Sequence, residues 1–343
     1  MIVKTSRQTT FHLLLSMEGS TIPIILPKIL FATTLGVFAK LVCDGTFGDD
    51  VQAELKFSFS PFTALGVAIS LFLGFHNNAS YGRWWEARQI WGTQVLAVRN
   101  LIRFFLGVMD INDDEKYDAE EESKDEACEG DIEDAVQCED ESMARNWREK
   151  IIVLAMAQTH AIRSQLRPSC KSDTPLTALQ DRNRFLDASD LIIVDNAPNP
   201  GNAILLHASR ILGRSPLTEY NMIQGIFLID QLAEIQAKCE RIHNTSLPFA
   251  YSLLVHRTAF FYVVLAPFAM VDTMGWWTPL FTAILAYTFF GFDELARQIQ
   301  EPFQDEPHCL ALSAMCRSVE IDVCEALKRK IPYPLEPINS VLM

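Results

Sequence analysis

The chain reads as an all-α integral membrane protein in which membrane-crossing helices continue into a water-facing helical body. Three observations predict this class. Hydrophobic residues make up 49% of 343 and mean hydropathy is +0.11, too apolar for a charged soluble protein, while 21% charged residues are too many for a bundle of spans alone. Apolar residues gather into four runs near the roughly 20 residues that a helix needs to cross a bilayer. Much of the remainder repeats its apolar residues every three or four positions, as one-sided helices do.

Taken in order, residues 1–21 form a short N-terminal segment with Lys4 and Arg7 but no small-residue cleavage site, so it does not read as a secretory signal. The first run, Ile22 to Val42, starts among Pro23, Pro27 and Lys28 and ends at Lys40, whose ammonium must snorkel. The second, Phe57 to Gly82, holds no charged residue. The third, Leu247 to Val271, contains His256 and Arg257, which are expected to meet headgroups or a carboxylate such as Asp293 or Glu294. The fourth, Thr273 to Phe292, is uncharged until Asp293.

The connections carry an orientation signal, because Lys and Arg stay on the cytoplasmic side. Lys4 and Arg7 precede the first run; Arg83, Arg88, Arg99 and Arg103 follow the second; Arg297, Arg317, Lys328, Arg329 and Lys330 follow the fourth. The 43–56 loop is acidic, and the turn before the fourth run offers only Asp272. Both termini and the middle region are therefore expected on the cytosolic side. This divides the chain into 22–82 and 247–292 in the membrane, with 83–246 and 293–343 as cytosolic helices.

Within 83–246, the segments starting at Glu86, Trp147 and Ser215 have helical apolar spacing, with Ser215 and Pro216 expected to open the last helix. "DNAPNPGNA" at 195–203 is expected to be a loop. Residues 110–142 hold seventeen Asp or Glu against two Lys, so this stretch alone carries −15 and the rest of the chain, at −14 overall, sums to +1. Too poor in apolar residues to bury itself, it reads as a solvated, disordered insert.

Eight cysteines lie scattered without a C-x-x-C, and the seven histidines show no zinc-ligand spacing, so neither a metal nor another cofactor is expected. Walker, dinucleotide and nucleophile-elbow motifs are missing from the sequence, which leaves an enzyme reading without support. Nothing points to nucleic acid.

The stretch "GVAISLFLGFHNNASYGRWWEAR", 66–88, passes abruptly from membrane-like residues to amides, tryptophans and arginines. On a helix Val67, Leu71 and Phe75 form one apolar stripe, while Gly66 and Gly74 leave room for close contact. A stripe of this kind is ordinarily a packing seam between membrane helices. Here the polar sequel His76, Asn77 and Asn78 favours a pore lining that opens into a wet vestibule. Trp84 and Trp85 suit the interface belt, and Arg83, Glu86 and Arg88 suit ion pairs.

These residues also carry a family resemblance. "SPFTALGVAISLFLGFHNNASYGRWWEAR" resembles the second membrane segment of bestrophin channels, in the branch of bacterial homologues and plant thylakoid anion channels. "CERIHNTSLPFAYSLLVHR" at 239–257, "FGFDELARQIQEPF" at 290–303 and "ALSAMCRSVE" at 311–320 match further landmarks in order, so the likeness covers nearly the whole chain.

The resemblance implies a bestrophin-like homopentamer, with four membrane helices per subunit around a central pore and membrane lipid as its surroundings. It places the hydrophobic neck at Val67, Leu71 and Phe75 and a second, cytosolic constriction near Ile223. It implies conduction of chloride-like monovalent anions, nitrate and bicarbonate included, through a ring that gates by wetting. Animal members clasp calcium with an acidic run after the fourth span. "EPFQDEPHC" at 301–309 departs from that pattern, having only Glu301, Asp305 and Glu306. A cation channel of the same fold and a non-conducting scaffold that recruits partners through the acidic insert stay open as alternatives. A secondary transporter would show internal hydropathy repeats, which the sequence lacks. The membrane, cellular or plastid, is left open.

Overall fold

The structure, a computed structural model, describes residues 19–46, 59–108, 133–167, 185–187, 190, 191, 194 and 197–337. Among these residues there are helices and turns and no strand. Eight α-helices follow one another: α1 (Ile22–Leu41), α2 (Phe59–Ile102), α3 (Glu133–Leu166), α4 (Pro200–Leu212), α5 (Glu219–Asn244), α6 (Phe249–Met274), α7 (Thr278–Gln300) and α8 (Leu312–Ala326).

Among the described residues two stretches are long and apolar enough to cross a membrane by length and composition: Ile22–Asp44, and the 52 residues Phe249–Gln300. The second contains the third expected run from its third residue on and all of the fourth, because only the turn Gly275–Trp277 separates α6 from α7. Gly275 takes φ +51°, a conformation L side chains rarely adopt, and this lets the chain reverse there. The expected second run falls on the start of α2, where His76, Asn77 and Asn78 dilute the apolar residues; residues 57 and 58 lie outside those described.

Close packing ties these apolar helices together. A Cβ on Gly36 of α1 would stand 3.0 Å from Cα of Pro279 on α7, so glycine sets the approach of the two helices. Ile25, Ala32, Val263, Ala286 and Phe290 form one buried cluster between α1, α6 and α7, and Phe62, Ile69, Tyr262, Ala266, Ala269 and Met270 form another between α2 and α6. The Phe62 and Tyr262 rings stack with centroids 4.2 Å apart. Lys40, at the end of α1, pairs with Asp44 and lies 5.7 Å from the Trp276 ring centroid.

A larger core joins the second half of α2 to α3, α4, α5 and α8, with Trp91, Leu101, Phe105, Ile152, Leu212, Leu232 and Val319 among its buried members. The α2 helix runs through both regions without a break for 44 residues. A polar chain crosses the larger core: Gln94 donates to Gln158 at 2.8 Å, Gln158 to Gln236 at 3.4 Å, and Gln236 to Glu240 at 2.9 Å. Buried polar groups survive in a core when they find partners in this way.

Three local expectations change. Thr218, not Ser215, caps α5: its hydroxyl accepts from the Asn221 amide, whereas the Ser215 hydroxyl donates to the Leu212 carbonyl. The loop expected over 195–203 ends early, because Asn199 caps α4 and Pro200 takes its first turn. Of the acidic insert, 110–132 lies outside the described residues, but 133–142 belongs to α3, so its last third is helical.

Candidate functional site

Helix periodicity sorts α2 into two sides. Val67, Leu71 and Phe75 are exposed in the single chain at 59%, 58% and 63%, while Ile69, Leu73, His76 and Ser80 on the other side are buried. The exposed line continues past the apolar run through Asn78 and Trp85. An apolar face with none of the described residues packed upon it, on a helix whose opposite face is packed, is turned toward lipid, an aqueous pore or another molecule. Ile223, near the start of α5, is likewise 64% exposed and neighbours the exposed Tyr220 and Phe227.

The three polar residues after Phe75 part company. His76 comes nine positions after Val67, which at about 100° per residue is half a turn away from the stripe. It is 2% exposed, its Nε2 lies 3.3 Å from Ser252 Oγ, and its ring tilts against Tyr251 at 5.6 Å. The expectation that it shares a vestibule with its two neighbours does not describe this placement. Asn78 is exposed on the stripe side. Asn77 sits on the flank, where its amide donates to the Leu73 carbonyl at 3.0 Å.

On that flank a cavity of about 170 Å³ opens between α2 and α7. Ser70, Gly74 and Asn77 contribute one wall, and Thr288, Phe289 and Phe292 the other. The Ser70 hydroxyl donates to the Gly66 carbonyl at 2.5 Å, and Thr288 to Ile284 at 2.9 Å, so the polar groups are directed into their own helices and the cavity offers carbon. The two glycines of the stretch differ. A Cβ on Gly66 would come 2.2 Å from the Tyr262 hydroxyl, whereas one on Gly74 would meet nothing within 4 Å.

Below the apolar helices, a set of residues that periodicity does not single out ties the two halves together. Arg83 donates from Nε to the Gln300 carbonyl at 3.0 Å, from Nη2 to Ile242 at 2.8 Å, and from Nη1 to Thr245. These are the last carbonyls of α7 and α5, which helices leave without internal donors. Trp84 Nε1 donates to the His308 carbonyl at 3.1 Å. Of the ion pairs expected nearby, Glu86 meets Arg241, while Arg83 is engaged with carbonyls. His256 meets Asp293 at 2.5 Å, across α6 and α7.

The 301–311 loop is held by arginine. Arg167 donates from Nε to the Phe303 carbonyl at 2.5 Å, and from Nη2 to Gln304 at 3.0 Å and Leu310 at 2.5 Å. Glu306 pairs with Arg297 at 3.2 Å, and Asp305 faces Arg167 at 3.8 Å. Two of the three carboxylates thus face guanidinium groups, and Glu301 accepts from the Gln304 amide, so they do not converge. Among the described residues no group of three or more His, Cys, Asp or Glu is suited to hold a metal. The sequence did not show the partners of Arg83 and Arg167: each contacts carbonyls more than 130 residues away.

Among the described residues, helices without strands, long apolar stretches and an exposed apolar stripe on the longest helix fit a helical protein of the membrane. The family model of bacterial and fungal bestrophin proteins matches residues 1–325. The chain belongs to the bestrophin family. It is 36% identical over 340 residues to the voltage-dependent anion channel-forming protein mll4386 of Mesorhizobium japonicum, covering 98% of this chain and 95% of that one. It is 31% identical to the voltage-dependent anion channel-forming protein YneE of Salmonella typhi, covering 95% and 93%. The crystal structure of a bacterial bestrophin homolog from Klebsiella pneumoniae superposes with a TM-score of 0.73 at 26% identity, covering 89% of this chain and 99% of that one.

Proposed function

We propose that this chain assembles as a homopentameric channel for monovalent anions such as chloride, nitrate or bicarbonate, with a hydrophobic neck at Val67, Leu71 and Phe75. The observation that carries the reading is the stripe itself: three large apolar side chains, each more than half exposed, on one side of a helix packed by its own subunit on the other. Five copies of such a stripe around an axis make three stacked rings with no group to replace an ion's hydration shell, and such a constriction gates by drying and wetting. Asn78, exposed directly below, supplies amide dipoles to hydrated ions at the mouth, with Asn77 at its edge; Ile223 forms the second, wider-set constriction. Residues 22–82 and 247–292 make the membrane part, with four crossings, and 83–246 and 293–343 the water-facing part. The names of the relatives support anions as the permeant class.

Reconstitution in asymmetric KCl tests this. An anion channel gives unitary current steps that reverse near the chloride equilibrium potential. Reversal near the potassium potential makes it a cation channel, and a silent bilayer leaves a scaffold. Val67→Ala, Leu71→Ala and Phe75→Ala combined should raise the open current and abolish closure, because the widened neck stays wet. If the stripe is a packing seam instead, the same variant loses several kcal/mol of assembly and yields less protein with no added current.

A further inference from the structure

We infer that Phe72 of one copy of this chain seats in the cavity beneath Gly74 of the next, so that each subunit carries both halves of a knob-and-socket contact at one depth. This rests on the reading of a symmetric assembly and adds the side chain that closes it.

The geometry follows from the stripe. Ser70 and Phe72 stand one residue before and after Leu71, hence about 100° to either side of the face taken to line the axis. On the Ser70 side lies the cavity, with Gly74 at its rim and Phe289 and Phe292 in its far wall. On the other side Phe72 is 52% exposed. Its backbone carbonyl accepts from the Tyr251 hydroxyl at 3.5 Å. The socket and the knob are two residues apart along one helix, about 3 Å in height, so a copy rotated about an axis facing the stripe brings them within reach of each other.

Size and chemistry agree. A dry apolar cavity of about 150 Å³ accepts a benzene ring, and this one measures about 170 Å³. Its hydroxyls and amide are bonded within their own helices, leaving two aromatic rings to receive a third. The contact joins unlike surfaces, and a head-to-tail contact of this kind closes into a ring when its rotation divides the circle. An acyl chain could enter the same opening, but it would leave Phe72 without a partner on the opposite flank.

The test uses the full chain in detergent and in bilayers. Phe72→Cys with Thr288→Cys in one chain, treated with a short bifunctional thiosulfonate, should give a covalent ladder that ends at the closed ring. Phe72→Cys or Thr288→Cys alone should give no more than the parent with its eight cysteines. As a second measurement, Gly74→Leu should fill the socket from within and abolish the oligomer on native mass measurement. Since a Cβ there meets nothing within 4 Å, the subunit itself tolerates the change. Adding Phe72→Ala should restore assembly. A conducting oligomer that gives no ladder, or that assembles normally with Gly74→Leu, overturns the Phe72 contact alone and assigns the cavity to lipid. Dimers from Phe72→Cys alone, at the level of the double variant, would mean like meets like and also overturn it. A monomeric, silent parent removes both this contact and the channel reading.

Discussion

Glu240 holds a charge at the outer, half-buried end of the polar chain that crosses the larger core. Burial alone would raise its carboxyl, but amides from Gln236, Asn199 and Gln165 all donate to it and hold it below the ordinary carboxylate range. A group depressed in the folded state contributes stability that is fully present above its unfolded pKa and is lost as pH falls through the folded one. Glu240→Gln should therefore lower stability at neutral pH by no more than about 1 kcal/mol, since water screens a group this exposed, and the gap from the parent should close on acidification; a gap unchanged by pH in denaturant titrations would refute this. Burial acts the other way on thiols, pushing Cys239 up to about 12 and Cys309 up to about 11. Since the thiolate is the reactive form, iodoacetamide at mild alkaline pH should label the half-buried Cys43 and Cys324 in the native protein well before Cys239 or Cys309, as peptide mass mapping can read.

Among the elements, α2 best shows what a sequence displays and what it hides. Its stripe was legible because a helix writes its faces into spacing, and the same arithmetic, carried nine positions on, places His76 on the packed side. Reading His76, Asn77 and Asn78 as neighbours along the chain obscured that. The partners of Arg83 were not legible at all, since a guanidinium seeking carbonyls leaves no pattern: every residue offers one. Thr218 beat Ser215 as a cap for a similar reason, both being good caps whose choice depends on where the preceding chain turns. Arg83→Ala should strip the ends of α5 and α7 of their donors and cost about 3 kcal/mol or more, given roughly 1.5–3 kcal/mol for hydrogen bonds to a charged group. Arg83→Lys, able to reach one carbonyl at a time, should recover less than half. Thermal unfolding in detergent measures both, and a loss confined to the membrane half would argue against the tie.

At the scale of the whole molecule, the helical class and the family were legible from composition, run lengths and motif order. Residue 82 lies inside α2 and residue 292 inside α7, in keeping with the expectation of helices that continue from apolar into polar segments; what lay beyond reach was which distant elements pack against them. The acidic stretch is a further test of organisation. Replacing 110–132, with twelve carboxylates and two lysines, by a Gly/Ser linker of equal length should leave the melting temperature unchanged and flatten the dependence of conductance on salt, because exposed charges act through a screened field. A melting temperature lowered by several degrees would show instead that the stretch is part of the folded body.

The unbroken course of α2 has a mechanical consequence. At about 1.5 Å per residue its 44 residues form a shaft of roughly 66 Å, with no proline after its first turn to act as a joint. Arg83 grips the shaft at mid-length and the larger core grips its lower half. An unbroken helix passes a rotation of one end along its hydrogen-bonded backbone to the other. A ligand or partner that rolled the lower half by a few degrees would therefore turn Val67, Leu71 and Phe75 by a similar angle, and the signal would arrive as torsion.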